Sequence, residues 1–222
     1  MIKNFLKLLN EIGNIMYPEE YSIENFITEE MCVFFEKRTR KHIETVQKYA
    51  SRIPYSFLGE TNIFYGNENS FENWNKFQEQ VRNHDESKFQ APEVKPYILQ
   101  TWRYRCKLIE NKEFLLPESI DKMLYDATLY HIKNNPHHPE YYTDKIFLNV
   151  QDRDKPANQI VDATLMPMNY IVEMVCDWCA VGEERNTSPH DWAKSNINIR
   201  WKFTDPQVKQ IYSTLEVVYG SK

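Results

Sequence analysis

Glycine is scarce in this 222-residue chain, five in all. That argues against a glycine-rich phosphate loop and against a turn-rich β-sandwich, since both need backbone conformations that only glycine adopts easily. Long apolar runs are also missing. No uninterrupted stretch approaches the ~20 residues that span a bilayer, so no membrane partner is expected. The N-terminus, MIKNFLKLLNEIGNIMYP, spaces Phe5, Leu6, Leu9, Ile12 and Met16 as a helix does and has neither the core nor the cleavage site of a signal peptide. It reads as a packing helix, and the chain as cytoplasmic. A surplus of positive charge is lacking as well. The formal net charge is −5, whereas a dedicated nucleic-acid binder displaces counterions with a basic surface, so no nucleic-acid partner is expected. A small anionic substrate remains open, because a local cation or metal can outweigh the global charge.

Cysteine is sparse too. Cys32, Cys106, Cys176 and Cys179 read as buried free thiols rather than a disulfide framework in a chain of this length without a secretion signal. Cys176-Asp177-Trp178-Cys179 is a C-x-x-C, but no second pair accompanies it and it lies inside an apolar helical pattern. Neither structural zinc nor redox chemistry is expected there.

What the chain has is aromatic and helical. Hydrophobic residues make up 41%, with 12 Phe, 14 Tyr and 5 Trp, enough for a sizeable core. No repeat, low-complexity tract or linker divides the sequence, and its length fits one domain. Apolar residues recur at helical steps over roughly 2–16, 24–52, 71–84, 95–112, 118–134, 167–182, 189–197 and 206–218. Ser188-Pro189-His190-Asp191 and Thr204-Asp205-Pro206-Gln207 carry capping signals. Pro96, Pro117, Pro136, Pro139 and Pro167 punctuate the segments. Residues 53–70 read as a loop and 143–162 as irregular. The expected fold is all-α, a single helical bundle.

The informative feature is where ionisable residues fall in these patterns. His42 lies on the stripe of Phe35, Arg38, Val46 and Tyr49, and Trp74, Phe77 and Val81 lead to His84. Ile120, Leu124 and Ala127 share a face with His131, and Tyr170, Met174 and Val181 bracket Asp177. Four helices thus each turn an ionisable side chain toward the core. A buried Asp without a partner costs several kcal/mol, so it should be paired or bound to a cation. Histidines and carboxylates converging on one point satisfy each other best around a metal, and such ligands suit Fe, Mn, Zn or Ni.

Two clusters carry most of the signal. In His84-Asp85-Glu86-Ser87-Lys88, the imidazole can bind one ion while the adjacent carboxylate bridges to another, and Lys88 can neutralise a substrate anion. In His131-Ile-Lys-Asn-Asn-Pro-His137-His138-Pro-Glu140, two prolines hold a histidine pair whose side chains diverge. Either His137 or His138 can serve a second ion. Glu173, one turn before Asp177, can accept a hydrogen bond from a ligand histidine. His190 lies in a capping sequence and reads as a surface residue. Trp102-Arg103-Tyr104-Arg105 reads as the basic outer face of an amphipathic helix.

The order His42 … His84-Asp85 … Asp177 resembles the H…HD…D signature of the HD-domain superfamily of metal-dependent phosphohydrolases. Lys88, His131 and the His137-His138 pair look like the multi-metal HD-GYP branch, although the GYP element is missing. The blocks HDESKF, HIKNNPHHPEYY and EMVCDW also look like a family of small bacterial and phage proteins. The resemblance spans about residues 38–182. It implies an HD-like helical domain over 1–222 with two divalent transition metals, Asp85 bridging them. His42, His84 and Asp177 would complete one ion's ligands, and His131 with His137 or His138 the other's. The implied reaction is hydrolysis of a small nucleotide-like phosphate ester, with Lys88 stabilising phosphoryl charge. The alternatives are a diiron oxygenase on the same scaffold and a non-catalytic nucleotide-binding module.

Overall fold

The computed structural model describes residues 22–59, 70–143 and 160–220. The helix expected at 2–16 lies outside them, as do 60–69 of the expected loop and 144–159 of the expected irregular stretch. The described residues hold eight α-helices: α1 (Glu29–Ala50), α2 (Tyr55–Gly59), α3 (Ser70–Arg82), α4 (Val94–Leu108), α5 (Glu118–Asn134), α6 (Met168–Arg185), α7 (Pro189–Asn196) and α8 (Asp205–Val218). Two two-residue strands, β1 (Val161–Asp162) and β2 (Trp201–Lys202), pair in parallel. The fold is mainly all-α, as the periodicity implied.

Local chemistry explains where helices depart from the expected limits. Before α1, Ile23–Phe26 coils as a 3-10 turn that the Ile27 amide closes on Glu24 O. Thr28 then starts the helix, its hydroxyl accepting from the Met31 amide at 3.3 Å. The end of α4 comes four residues early because Asn111, at φ 50°, turns the chain back and Lys112 N–H bonds Cys106 O at 2.9 Å. In contrast α6 runs past Gly182. A Cβ there would meet Thr187 O at 2.8 Å, so this glycine serves a close approach, and Asn186 in the left-handed conformation ends the helix. α2 falls within the expected 53–70 loop, and β1 at the end of the expected irregular stretch.

The chain divides into two compact units, one of Met1–Arg38 and Glu86–His131, the other of Thr39–Asp85 and Ile132–Lys222. The first buries Ile23, Met31, Phe35, Ile98, Leu99, Ile120 and Leu124 together. Arg105 lays its guanidinium over Trp102 at 4.2 Å and Phe34 at 5.1 Å, as befits an amphipathic helix surface.

The second unit is built around α6. Ile171, Val172, Met174, Val175, Cys176 and Cys179 pack with Val46 and Tyr49 of α1, Phe77 and Val81 of α3, and Ile211 and Leu215 of α8. All four cysteines are free and buried, and burial pushes the Cys179 thiol up to about 12, which keeps it protonated and unreactive. His190 is half-buried rather than superficial: its Nε2 donates to Gly220 O at 2.9 Å.

Gln207 holds the strand region to α8. Its Oε1 accepts from the Thr204 amide at 2.8 Å in a capping box, and its Nε2 donates to Ala163 O, Thr164 O and Met166 O at 3.2, 3.1 and 2.9 Å. A Gln207→Ala protein keeps the Thr204 cap on the residue 207 amide but loses the reciprocal bond to the Thr204 amide and strands buried carbonyls, and should be destabilised by about 2–3 kcal/mol. Urea denaturation checks this; an unchanged midpoint would remove Gln207 from the structural account.

Candidate metal centre

Four segments of the second unit bring ionisable groups to one interior place. His42 comes from α1. His84 and Asp85 follow directly on α3, where the helix stops and Asp85 takes a left-handed backbone, φ 58°. Asp177 comes from α6, and His137 from the segment after α5. His42, His84, Asp85 and His137 are all under 9% exposed, and Asp177 is half-buried.

Their facing atoms stand close but mostly too far apart for hydrogen bonds. His42 Nε2 lies 3.1 Å from Asp177 Oδ1 and 3.6 Å from Asp85 Oδ2. His84 Nε2 lies 3.7 Å from Asp85 Oδ2 and 3.9 Å from Asp177 Oδ1. His137 Nε2 lies 3.6 Å from the other Asp85 oxygen, Oδ1. Donors held ~2.1 Å from a common ion at ordinary coordination angles stand ~3.0–3.4 Å apart. His42 Nε2 and Asp177 Oδ1, 3.1 Å apart, stand at that spacing, and the other pairs, at 3.6–3.9 Å, lie beyond it. His84 Nε2 is buried with no hydrogen-bond partner among the described residues, a costly state for a polar atom that a cation would relieve. His42, His84 and Asp177 could therefore hold a metal ion.

Behind the histidines stands a second set of carboxylates. His84 Nδ1 is 2.8 Å from Glu173 Oε1, and an ionised carboxylate can only accept, so Nδ1 carries the proton. His42 Nδ1 is 3.1 Å from Glu184 Oε1. Each arrangement directs the Nε2 lone pair at the cluster. Glu173 is 2% exposed. It also lies 3.5 Å from His137 Nδ1 and accepts from Gln80 Nε2 at 2.5 Å, while Asn169 Nδ2 donates to Gln80 Oε1 at 2.6 Å. Glu173 thus accepts from His84, a histidine of the candidate centre.

Charge runs the same way. Burial alone would hold His42 neutral, but the Asp177 and Glu184 hydrogen bonds and the nearby Asp85 push it up to about 9. Burial likewise opposes a charged His84, and Asp85 and Glu173 overcome it. Against its own burial, Asp177 is held well below the usual carboxylate range by His42, with His84 and His137 adding to it. The cluster draws positive charge.

Three further expected residues are His138, His131 and Lys88. Half-buried His138 follows His137 on extended backbone, φ −98°, with its ring 4.3 Å from that of His137. Of the pair, His137 is the one facing Asp85. His131 and Lys88 belong to the first unit. There the buried His131 donates through Nδ1 to Glu93 Oε2 at 2.7 Å, and Lys88 lies over the Tyr97 ring at 5.2 Å. Glu184, Gln80, Asn169 and Glu93 went unremarked in the sequence. Spacing held a signal for three of them. Glu184 is two turns after Asp177, Gln80 one turn before His84, and Asn169 one turn before Glu173.

Fold and site together define a mainly helical protein with a buried histidine–carboxylate centre able to hold metal. Residues 31–216 match a family of unknown function, DUF5662, and the chain belongs to that family. No curated protein and no solved structure matches the chain.

Proposed function

We propose that the protein is a metal-dependent phosphohydrolase of the HD type, acting on a nucleotide-like phosphate ester at a centre of two divalent transition ions. One observation carries this reading: the two oxygens of Asp85 face different histidines. Oδ2 looks toward His42 and His84, and Oδ1 toward His137. A carboxylate placed so can bridge two ions, with His42, His84 and Asp177 on one side and His137 on the other. Charge agrees. Asp85, Glu173, Asp177 and Glu184 supply four negative charges around three imidazoles, which two divalent cations would balance. The H…HD…D order supplies the reaction class by resemblance.

When bound, such ions lower the pKa of water and stabilise charge on phosphoryl oxygens. The chain's own contribution is to hold donors. Glu173 keeps His84 in the tautomer whose Nε2 faces inward, Glu184 does so for His42, and the buried setting limits competing water. The test is metal analysis of the purified protein followed by a phosphate-release screen over nucleotides with Mn, Ni, Fe or Zn. About two ions per chain and phosphate release are expected. Protein without stoichiometric metal sinks the reading. Oxygen consumption by iron-loaded protein without phosphate release replaces it with the oxygenase, and nucleotide retention without turnover with the binding module.

Glu173→Gln gives a finer check. The substituted amide can still accept one hydrogen bond but no longer attracts two imidazole N–H groups with a charge. Metal affinity should fall about 10–100-fold, measured by competition with a chromogenic chelator. An unchanged affinity would show that Glu173 positions nothing.

A further inference from the structure

One buried contact of the second unit lies outside the centre and ties two of its segments together. Glu140, three residues after His137, is 1% exposed, and its Oε1 accepts from the Trp201 indole N–H at 3.1 Å. The Trp201 ring in turn stacks on Trp178, with centroids 5.6 Å apart and planes 13° from parallel. Trp178 is the residue after Asp177 on α6. We infer that Glu140 and Trp201 are positioning residues, whose hydrogen bond holds the His137 turn in a fixed place relative to Asp177 and α6. The inference rests on the reading of His137 as a ligand of the second ion and names what keeps it there.

Each end of this tie is stiff. Pro136 and Pro139 fix φ on either side of the histidine pair. His138 N–H donates to Asn135 O and Tyr141 N–H to His138 O, both at 3.0 Å, and the Tyr142 hydroxyl closes on Pro136 O at 2.9 Å. Residues 135–142 are thus braced as one body, and a hold on Glu140 is a hold on His137. At the other end, Trp192 meets the buried Trp201 ring edge-on at 6.3 Å, and Arg200 lays its guanidinium over it at 4.5 Å. The strand that carries Trp201 is bonded to β1, the Val161 amide donating to Arg200 O at 2.9 Å.

Stability alone does not account for a carboxylate at this position. Arg200 Nη2 stands 3.4 Å from the same Oε1, a long contact, and Oε2 has no hydrogen-bond partner among the described residues. A buried ion pair of that quality is often no better for the fold than apolar packing, and the unmet oxygen is a further cost. What the carboxylate supplies is an acceptor at one reach from the backbone, directed at one N–H.

The experiment is labelling of metal-free protein with diethyl pyrocarbonate, read at each histidine by fragment-ion mass spectrometry. His137 is buried in the native protein, so its rate reports whether the turn is in place. Trp201→Phe keeps an aromatic ring against Trp178 but removes the N–H, and Glu140→Asp keeps the charge but withdraws the acceptor by one methylene. In both, His137 should react about tenfold faster or more, a factor that one lost hydrogen bond supplies, while His42 on α1 stays within about twofold. Glu140→Gln keeps a carbonyl oxygen at the original reach and should leave His137 close to its native rate. A carboxylate that merely balanced Arg200 would give the opposite order, with aspartate tolerated and glutamine not. A native-like His137 rate in Trp201→Phe or Glu140→Asp, that opposite order, or equal acceleration of His42 overturns the inference, the last because the contact would then support the whole fold. After reloading, the two weakened variants should hold about one ion where the native protein holds two. Native protein that takes up no metal sinks the phosphohydrolase, whereas the labelling rates decide the positioning role either way.

Discussion

Asp85→Asn protein should hold at most one ion per chain and lose at least about 1,000-fold in phosphate release, equivalent to about 4 kcal/mol of transition-state stabilisation. The geometry explains why so small a change acts so strongly. Asn keeps one oxygen but replaces the other with an amino group, and that second oxygen faces a different histidine. It also removes one of the four negative charges that draw cations to the centre. His84→Ala should be as severe for metal content and worse for stability. His84 is the hydrogen-bonded partner of Glu173, a carboxylate 2% exposed, and breaking a buried charged pair on one side costs about 3–5 kcal/mol. Elemental analysis and urea denaturation separate the two effects. Full metal content in either variant would remove that residue from the ligand set.

Metal-free protein should lose about 3 kcal/mol of stability as pH rises from about 6.5 to 9. In the metal-free fold His42 titrates at about 9, raised from 6.5 against burial by Asp177, Glu184 and Asp85. A group whose folded pKa exceeds its unfolded value stabilises the fold fully below the unfolded pKa, and this contribution fades as pH climbs to the folded one. Two and a half units at 1.36 kcal/mol each give about 3 kcal/mol. A metal held by His42 would reverse the slope, because it would take the place of the proton on Nε2 and bind more strongly as protons become scarce. Chelator-treated and metal-loaded samples should therefore diverge in melting temperature as pH rises. Parallel pH profiles would mean that metal and proton do not compete at His42.

The sequence revealed the helices and the centre unequally. Helix α5 was legible to the residue, because Pro117 starts it and the apolar spacing from Ile120 to His131 is regular. The limits of α4 and α6 were not, since they depend on a left-handed Asn111 and on the space beside Gly182, neither of which composition displays. Within the centre, His42, His84 and Asp177 could be read because each interrupts an apolar stripe, and Asp85 because it adjoins His84. Of the hydrogen-bonded support, Glu173 could be read and the rest gave only a weak signal. Gln80 and Glu184 are polar residues at helical spacing like many others, and only the fold separates them from solvated neighbours. Likewise, only the fold shows that His137 faces Asp85.

The left-handed backbone at Asp85 has a bearing on how this position could drift through generations. Few residues other than glycine, asparagine and aspartate tolerate that conformation readily. Glycine would bring no ligand atom, and asparagine only one oxygen without charge. Backbone and chemistry thus act as two independent sieves on one codon, and aspartate is the residue that passes both. A lineage that gave up metal would be expected to show the loss here first, as asparagine or glycine, while its helices persisted.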